Sequence, residues 1–125
     1  MTVAGILGMG GVSQVAGARS GARVTICGAC REGAGAALAR RVGELVGEAA
    51  EVRLAPCLLS CGRPLALAVE GPGRGAYVFA GVDPATAAEG LAAFLRLFAQ
   101  APWGEVRDAR PCGELRFRLI ARLPP

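Results

Sequence analysis

The sequence predicts an α/β domain with a mixed four-stranded sheet, in the order strand, helix, strand, strand, strand, helix. Three observations carry that prediction. A short β-branched run, Arg23-Val24-Thr25-Ile26-Cys27, precedes a stretch with helical apolar spacing and then an alternating segment. Two further apolar runs flank Gly71-Pro72-Gly73-Arg74-Gly75, a plain turn signal. Asp83-Pro84 then opens a second helical stretch.

The first strand is residues 23–27, where β-branched side chains suit a pleated, half-buried surface. Residues 34–49 follow as a helix, with Leu38, Val42, Leu45 and Val46 on one inward face. Glu51-Val52-Arg53-Leu54 alternates as a second strand and ends at Pro56-Cys57. Pro64 opens a third run, Leu65 to Glu70, as proline can at the first position of a strand. The fourth strand is Ala76 to Ala80, so residues 64–81 form a hairpin.

Asp83 caps the second helix, with Pro84 at the position where a missing N–H costs nothing. That helix runs to Gln100 with Leu91, Phe94, Leu95 and Phe98 facing inward, and Pro102 stops it. Trp103, at the helix end, is expected to seal the core. The tail Leu115-Arg116-Phe117-Arg118-Leu119 alternates and offers an extra C-terminal edge strand, ended by Pro124-Pro125. Residues 1–21, rich in Gly and Ala, read as a flexible leader, and 22–125 as one domain. Gly8-Met9-Gly10-Gly11 has neither the spacing nor the lysine of a phosphate loop.

Hydrophobic residues make up 53% of the 125, but 25 of them are alanine, so the core is lean and leaves room for a homodimer. All 14 basic residues are arginine, and they are scattered among Glu and Asp rather than gathered with stacking aromatics. The net charge of +4 therefore reads as a solvated surface, and no nucleic-acid partner is expected. No run approaches the ~20 apolar residues of a membrane helix, so no membrane partner is expected. An odd count of five cysteines argues against a closed secreted disulfide set, and a reducing cytoplasm is the expected compartment.

Four of those cysteines form two close pairs, Cys27-Gly28-Ala29-Cys30 and Cys57-Leu58-Leu59-Ser60-Cys61. With no histidine in the chain, a thiolate site is the simplest chemistry on offer. An all-sulfur donor set selects zinc, copper(I) or an iron–sulfur cluster over magnesium or calcium. A strand–helix–strand unit joins parallel strands, whose carboxyl ends share one edge of the sheet. If the first two strands are neighbours, the pairs that follow them sit on adjacent loops. Small residues there, Gly28, Ala29, Ser60 and Gly62, let backbone N–H groups approach sulfur. Cys112 lies outside this pattern and reads as a spare ligand, a surface thiol or a neutral variant.

The stretch from Cys57 to Pro64, followed by an apolar strand, a Pro/Gly turn and Tyr77, resembles the second half of thioredoxin-like [2Fe-2S] ferredoxins. Residues 23–125 more closely resemble a bacterial family of uncharacterised, predicted metal-binding proteins related to those ferredoxins. The points of likeness are Cys27 to Arg31, Cys57 to Pro64, Tyr77-Val78-Phe79, Asp83-Pro84 and Ala121 to Pro125. The resemblance implies a thioredoxin-like fold and a metal or cluster held by Cys27, Cys30, Cys57 and Cys61. The first pair is more tightly spaced than in most such ferredoxins.

Three functions compete. The first is a one-electron carrier or redox sensor holding a [2Fe-2S] cluster, with Arg31 and Arg63 steering an unknown acidic redox partner. The second is a zinc protein with a structural or metal-handling role. The third is a thiol–disulfide oxidoreductase using Cys27 and Cys30, which leaves the second pair unexplained. Hydrolases that need a histidine base are excluded by composition. Glu44, Glu48, Glu51 and Glu89 read as solubilising charge beside arginines.

Overall fold

The β-branched run at the start of the domain does form a strand, β1 (Arg23–Cys27), in the computed structural model, which describes residues 21–28, 33–56 and 65–125. The leader reading of residues 1–21 lies outside the described residues except for Gly21. After β1 come α1 (Ala34–Val46), a single 3₁₀ turn at Gly47–Ala49, and β2 (Glu51–Ala55). Then follow β3 (Leu67–Gly71), β4 (Gly75–Phe79), α2 (Ala87–Gln100), two 3₁₀ segments at Pro102–Gly104 and Arg110–Arg118, and β5 (Leu119–Leu123).

The five strands make one open mixed sheet of order β2-β1-β3-β4-β5. β1 and β2 are parallel, while β3, β4 and β5 continue the sheet in antiparallel pairs. Alternation sorts the side chains onto two faces. Val24, Ile26, Leu67, Val69, Tyr77 and Phe79 are buried and stand in register with one another. Leu38 and Val42 of α1 and Leu91, Phe94 and Phe98 of α2 complete that core. The helices also pack on each other, so both cover the same face. Thr25, Arg53, Ala68, Ala76 and Val78 line the other face, over which no described helix lies.

Aromatic geometry explains how so alanine-rich a chain fills its centre. Phe94 meets Tyr77 and Phe79 edge to face, with ring centroids 5.0 and 5.3 Å apart. The Tyr77 hydroxyl donates to Gly104 O at 2.8 Å and accepts from Val106 N–H at 2.9 Å, tying down the chain beyond α2. Arg74, in the β3–β4 turn, donates to Phe98 O at 2.9 Å and Ala101 O at 2.6 Å. α2 has no basic residue in its last turn, and Arg74 supplies the missing cation from a distance.

Several expectations are corrected. Leu45 is 41% exposed rather than inward, because it lines an open groove between the helices with Ala92, Leu95 and Ala99 of α2. Asp83 caps only a preliminary turn: Ala85 N–H donates to its Oδ1 at 2.9 Å, and α2 proper begins at Ala87. Thr86 breaks helical geometry between them, with φ −120°. Trp103 does not seal the core but stands 72% exposed, with φ +59°. The alternating segment Leu115 to Leu119 is not the edge strand. A 3₁₀ segment, Arg110–Arg118, with Pro111 in its first turn and a kink at Gly113, runs there, and the strand lies later, at Leu119–Leu123. A Cβ on Gly90 of α2 would overlap Cys112 O, so this glycine admits the 3₁₀ segment against the helix.

Candidate metal centre

Cys27 ends β1 and is fully buried, at 0% exposure. Its register partner on the parallel strand is Ala55, the last residue of β2. Gly28 N–H donates to Ala55 O at 2.8 Å, so the two strands finish side by side. On the other flank, Cys27 N–H donates to Ala66 O at 2.9 Å. Ala55 and Ala66 therefore bracket Cys27, one on each neighbouring stretch of chain.

The first turn of α1 closes the same corner. A Cβ on Gly35 would overlap the carbonyl oxygen of Cys27, so only glycine lets the helix approach this closely. Gly33, the residue before α1, has φ +84°, and no side chain caps the helix. Its first turn carries no acidic residue. The positive end of the helix dipole is thus left without a compensating carboxylate on its own helix.

Alternation along β1 sets Cys27 on the face of Arg23 and Thr25. Arg53 Nε donates to Thr25 Oγ1 at 3.2 Å across the β1–β2 pair, one step of the alternation away. Two residues along a strand is about 7 Å, which sets this cation close to the strand end. Arg53 was not singled out by the sequence, because an arginine in an alternating strand reads as a solvated face. At the opposite end of β1, Arg23 bridges Glu51 at 3.2 Å and Glu70 at 3.7 Å.

Of the four expected ligands, Cys27 is placed by this geometry, while Cys30, Cys57 and Cys61 lie outside the described residues. So do Ala29, Arg31, Ser60, Gly62, Arg63 and Pro64. Among the described residues no group of three or more His, Cys, Asp or Glu converges on one point. Cys112 is no surface thiol: it is buried under α2, and burial pushes its pKa up against the pull of Arg96 and Arg116. The carboxylates behave as expected of surface charge, with Glu44 and Glu89 paired to Arg41 at 3.7 and 2.9 Å. Hydrogen bonds from its own backbone N–H and from Arg41 lower the Glu89 pKa.

A cluster or zinc ion implied by the ferredoxin likeness is compatible with this corner. What the described residues contribute is one cysteine buried at the strand end and an uncompensated helix N-terminus that favours negative charge. No described helix is long and apolar enough to cross a membrane.

Fold and corner together define a mixed α/β protein with a buried cysteine where two parallel strands end. A family model described as a protein of unknown function, DUF1636, matches residues 24–125, and the chain belongs to that family. No curated protein and no solved structure matches the chain.

Proposed function

We propose that the protein holds a [2Fe-2S] cluster through Cys27, Cys30, Cys57 and Cys61 and serves as a one-electron carrier or redox sensor. The observation that carries this reading is the bracketing of Cys27 by Ala55 and Ala66. The segment with Cys57 and Cys61 departs after Pro56 and rejoins at Leu65, so both of its ends adjoin Cys27. The segment with Cys30 departs after Gly28 and rejoins at Gly33, beside Gly35. At no more than about 3.6 Å per residue, Cys30 and Cys57 stay within about 7 Å of chain from Gly28 and Ala55. A β1–α1–β2 unit followed by an antiparallel β3–β4 hairpin and α2 also agrees with a thioredoxin-like arrangement.

When bound, the cluster would supply the one-electron chemistry. The chain's own part is to exclude water at Cys27, to offer backbone donors, and to hold positive potential nearby through the α1 N-terminus and Arg53. Four thiolates accept zinc equally well, in a closed tetrahedral site. Anaerobic purification followed by metal and acid-labile sulfide analysis separates the two. Iron and sulfide in near-stoichiometric amounts support the cluster; zinc without sulfide, persisting after attempted iron–sulfide reconstitution, supports the structural or metal-handling alternative. A metal-free protein that also fails reconstitution overturns both.

A further inference from the structure

The edge of the sheet farthest from β2 carries features that the metal reading does not use. β5 pairs only with β4 among the described residues, and its outer edge meets no other described strand. Ile120 is the extra residue of a bulge opposite Val78 and Phe79, and it stands 46% exposed, with Leu119 and Leu123 also exposed. Phe117, just before the strand, is 67% exposed.

Trp103 stands near the other end of β5, and it is held there rather than left loose. It is the one non-glycine residue with positive φ among the described residues. Arg122 on β5 donates to Trp103 O at 3.3 Å, Arg74 fixes Ala101 O, and Tyr77 fixes Gly104 O and Val106 N–H. A strained backbone so thoroughly tied, ending in a solvent-facing indole, is a feature the surrounding structure maintains.

The charges beside it are selective. Arg107, Arg110 and Arg118 are each paired with a nearby carboxylate, from Glu105, Asp108 and Glu114 respectively. Arg116 and Arg122 make no ion-pair contact with a carboxylate among the described residues, and Arg116 acts on Asp108 only through space. They lie instead over the rings of Phe117 and Tyr77, at 4.6 and 5.5 Å.

From these observations we infer that the β5 edge, with Trp103, is a docking strand for an acidic polypeptide segment of another protein, bound in extended form. The free edge supplies main-chain donors and acceptors, Leu119, Ile120 and Leu123 supply apolar contact, and Arg116 and Arg122 receive carboxylates. Trp103 is the anchor, in keeping with the weight of Trp and Arg at binding hot spots. A second copy of the chain fits this edge poorly, because its own β5, Leu119–Leu123, brings another arginine and no carboxylate to meet Arg116 and Arg122. Nucleic acid offers no partner for an aliphatic strand edge.

The chain's single tryptophan makes the test direct. Full-length protein is titrated with a short alternating Glu/Val peptide while Trp103 emission is followed. The expected result is a saturable shift that weakens with added salt and falls about tenfold in affinity in Arg116→Glu. Arg116 is exposed, so that variant keeps the fold, and the same peptide N-methylated at alternate residues provides a second probe in which main-chain pairing is blocked. Absence of a shift overturns the inference, as does an equal response to a Lys/Val peptide. A comparable response to single-stranded oligothymidine, or a salt-sensitive dimer in sedimentation that Arg116→Glu disrupts, overturns it too. None of these readouts depends on metal content.

Discussion

Gly35, in the first turn of α1, lies against the carbonyl oxygen of Cys27 so closely that no Cβ fits between them. The contact locks the start of a helix onto the end of a strand at the corner where the cysteine segments begin. Gly35→Ala must push one backbone away from the other. Such overpacking typically costs about 1–3 kcal/mol. Urea denaturation should show a lower midpoint with an unchanged slope, and the as-isolated protein should retain less metal. A variant with wild-type stability and metal content would remove the close contact from the account.

The two described cysteines should behave differently. Cys27→Ser is expected to lower iron or zinc content sharply, since it removes a proposed ligand. Cys112→Ser should leave metal content unchanged while destabilising the fold by about 1–3 kcal/mol, because a hydroxyl replaces a buried thiol under α2. Metal analysis alongside thermal denaturation checks both. Metal loss in Cys112→Ser would make Cys112 a ligand.

Tyr77→Phe deletes the donor to Gly104 O and the acceptor for Val106 N–H while keeping the ring against Phe94. Leaving two backbone groups without their partner should cost about 1–3 kcal/mol. Hydrogen exchange at Val106 should quicken with little change in the sheet, and Trp103 emission should move toward that of a mobile indole. An unchanged exchange rate at Val106 would count against the clamp.

Asp108 accepts from Arg110 Nε at 2.9 Å and from the Arg110 backbone N–H at 3.1 Å. The Arg110 side chain first, and its backbone second, hold this carboxyl down to about 2 from an ordinary 3.8. The folded form therefore binds this proton less readily than the unfolded one. Its contribution is whole above the ordinary value and drains away as pH falls from about 3.8 through about 2. A carboxyl NMR titration should place the Asp108 midpoint near the lower figure in wild type and near the ordinary one in Arg110→Ala. Coincident midpoints would refute the pairing of Asp108 with Arg110.

The order of the first four strands and both helices was legible because local signals agreed with the fold. The β-branched run at residues 23–27, the hairpin glycines and the period of Leu91, Phe94, Leu95 and Phe98 each pointed one way. The tail was misread because Leu115 to Leu119 alternates for a different reason: Leu115 is buried against Gly90 within a 3₁₀ segment, while Phe117 faces solvent. Trp103 was misread because size suggests burial, whereas its placement depends on Tyr77 and Arg122, 26 and 19 residues away. Cys27 was legible as a strand-end cysteine. The role of Arg53 beside it was not, since only the β1–β2 register brings it across from Thr25.

β2 is half-exposed along its length, and its outer side meets no further strand among the described residues. Fraying that margin disturbs fewer buried groups than unzipping β3 or β4. An ion clasped between the tips of β1 and β2 would oppose this particular fraying. Amides of Arg53 and Ala55, which the parallel register turns toward β1, would then gain protection on loading, while those of β3 and β4 kept theirs. Occupancy of the corner and the solvent resistance of one marginal strand would become two readings of a single equilibrium.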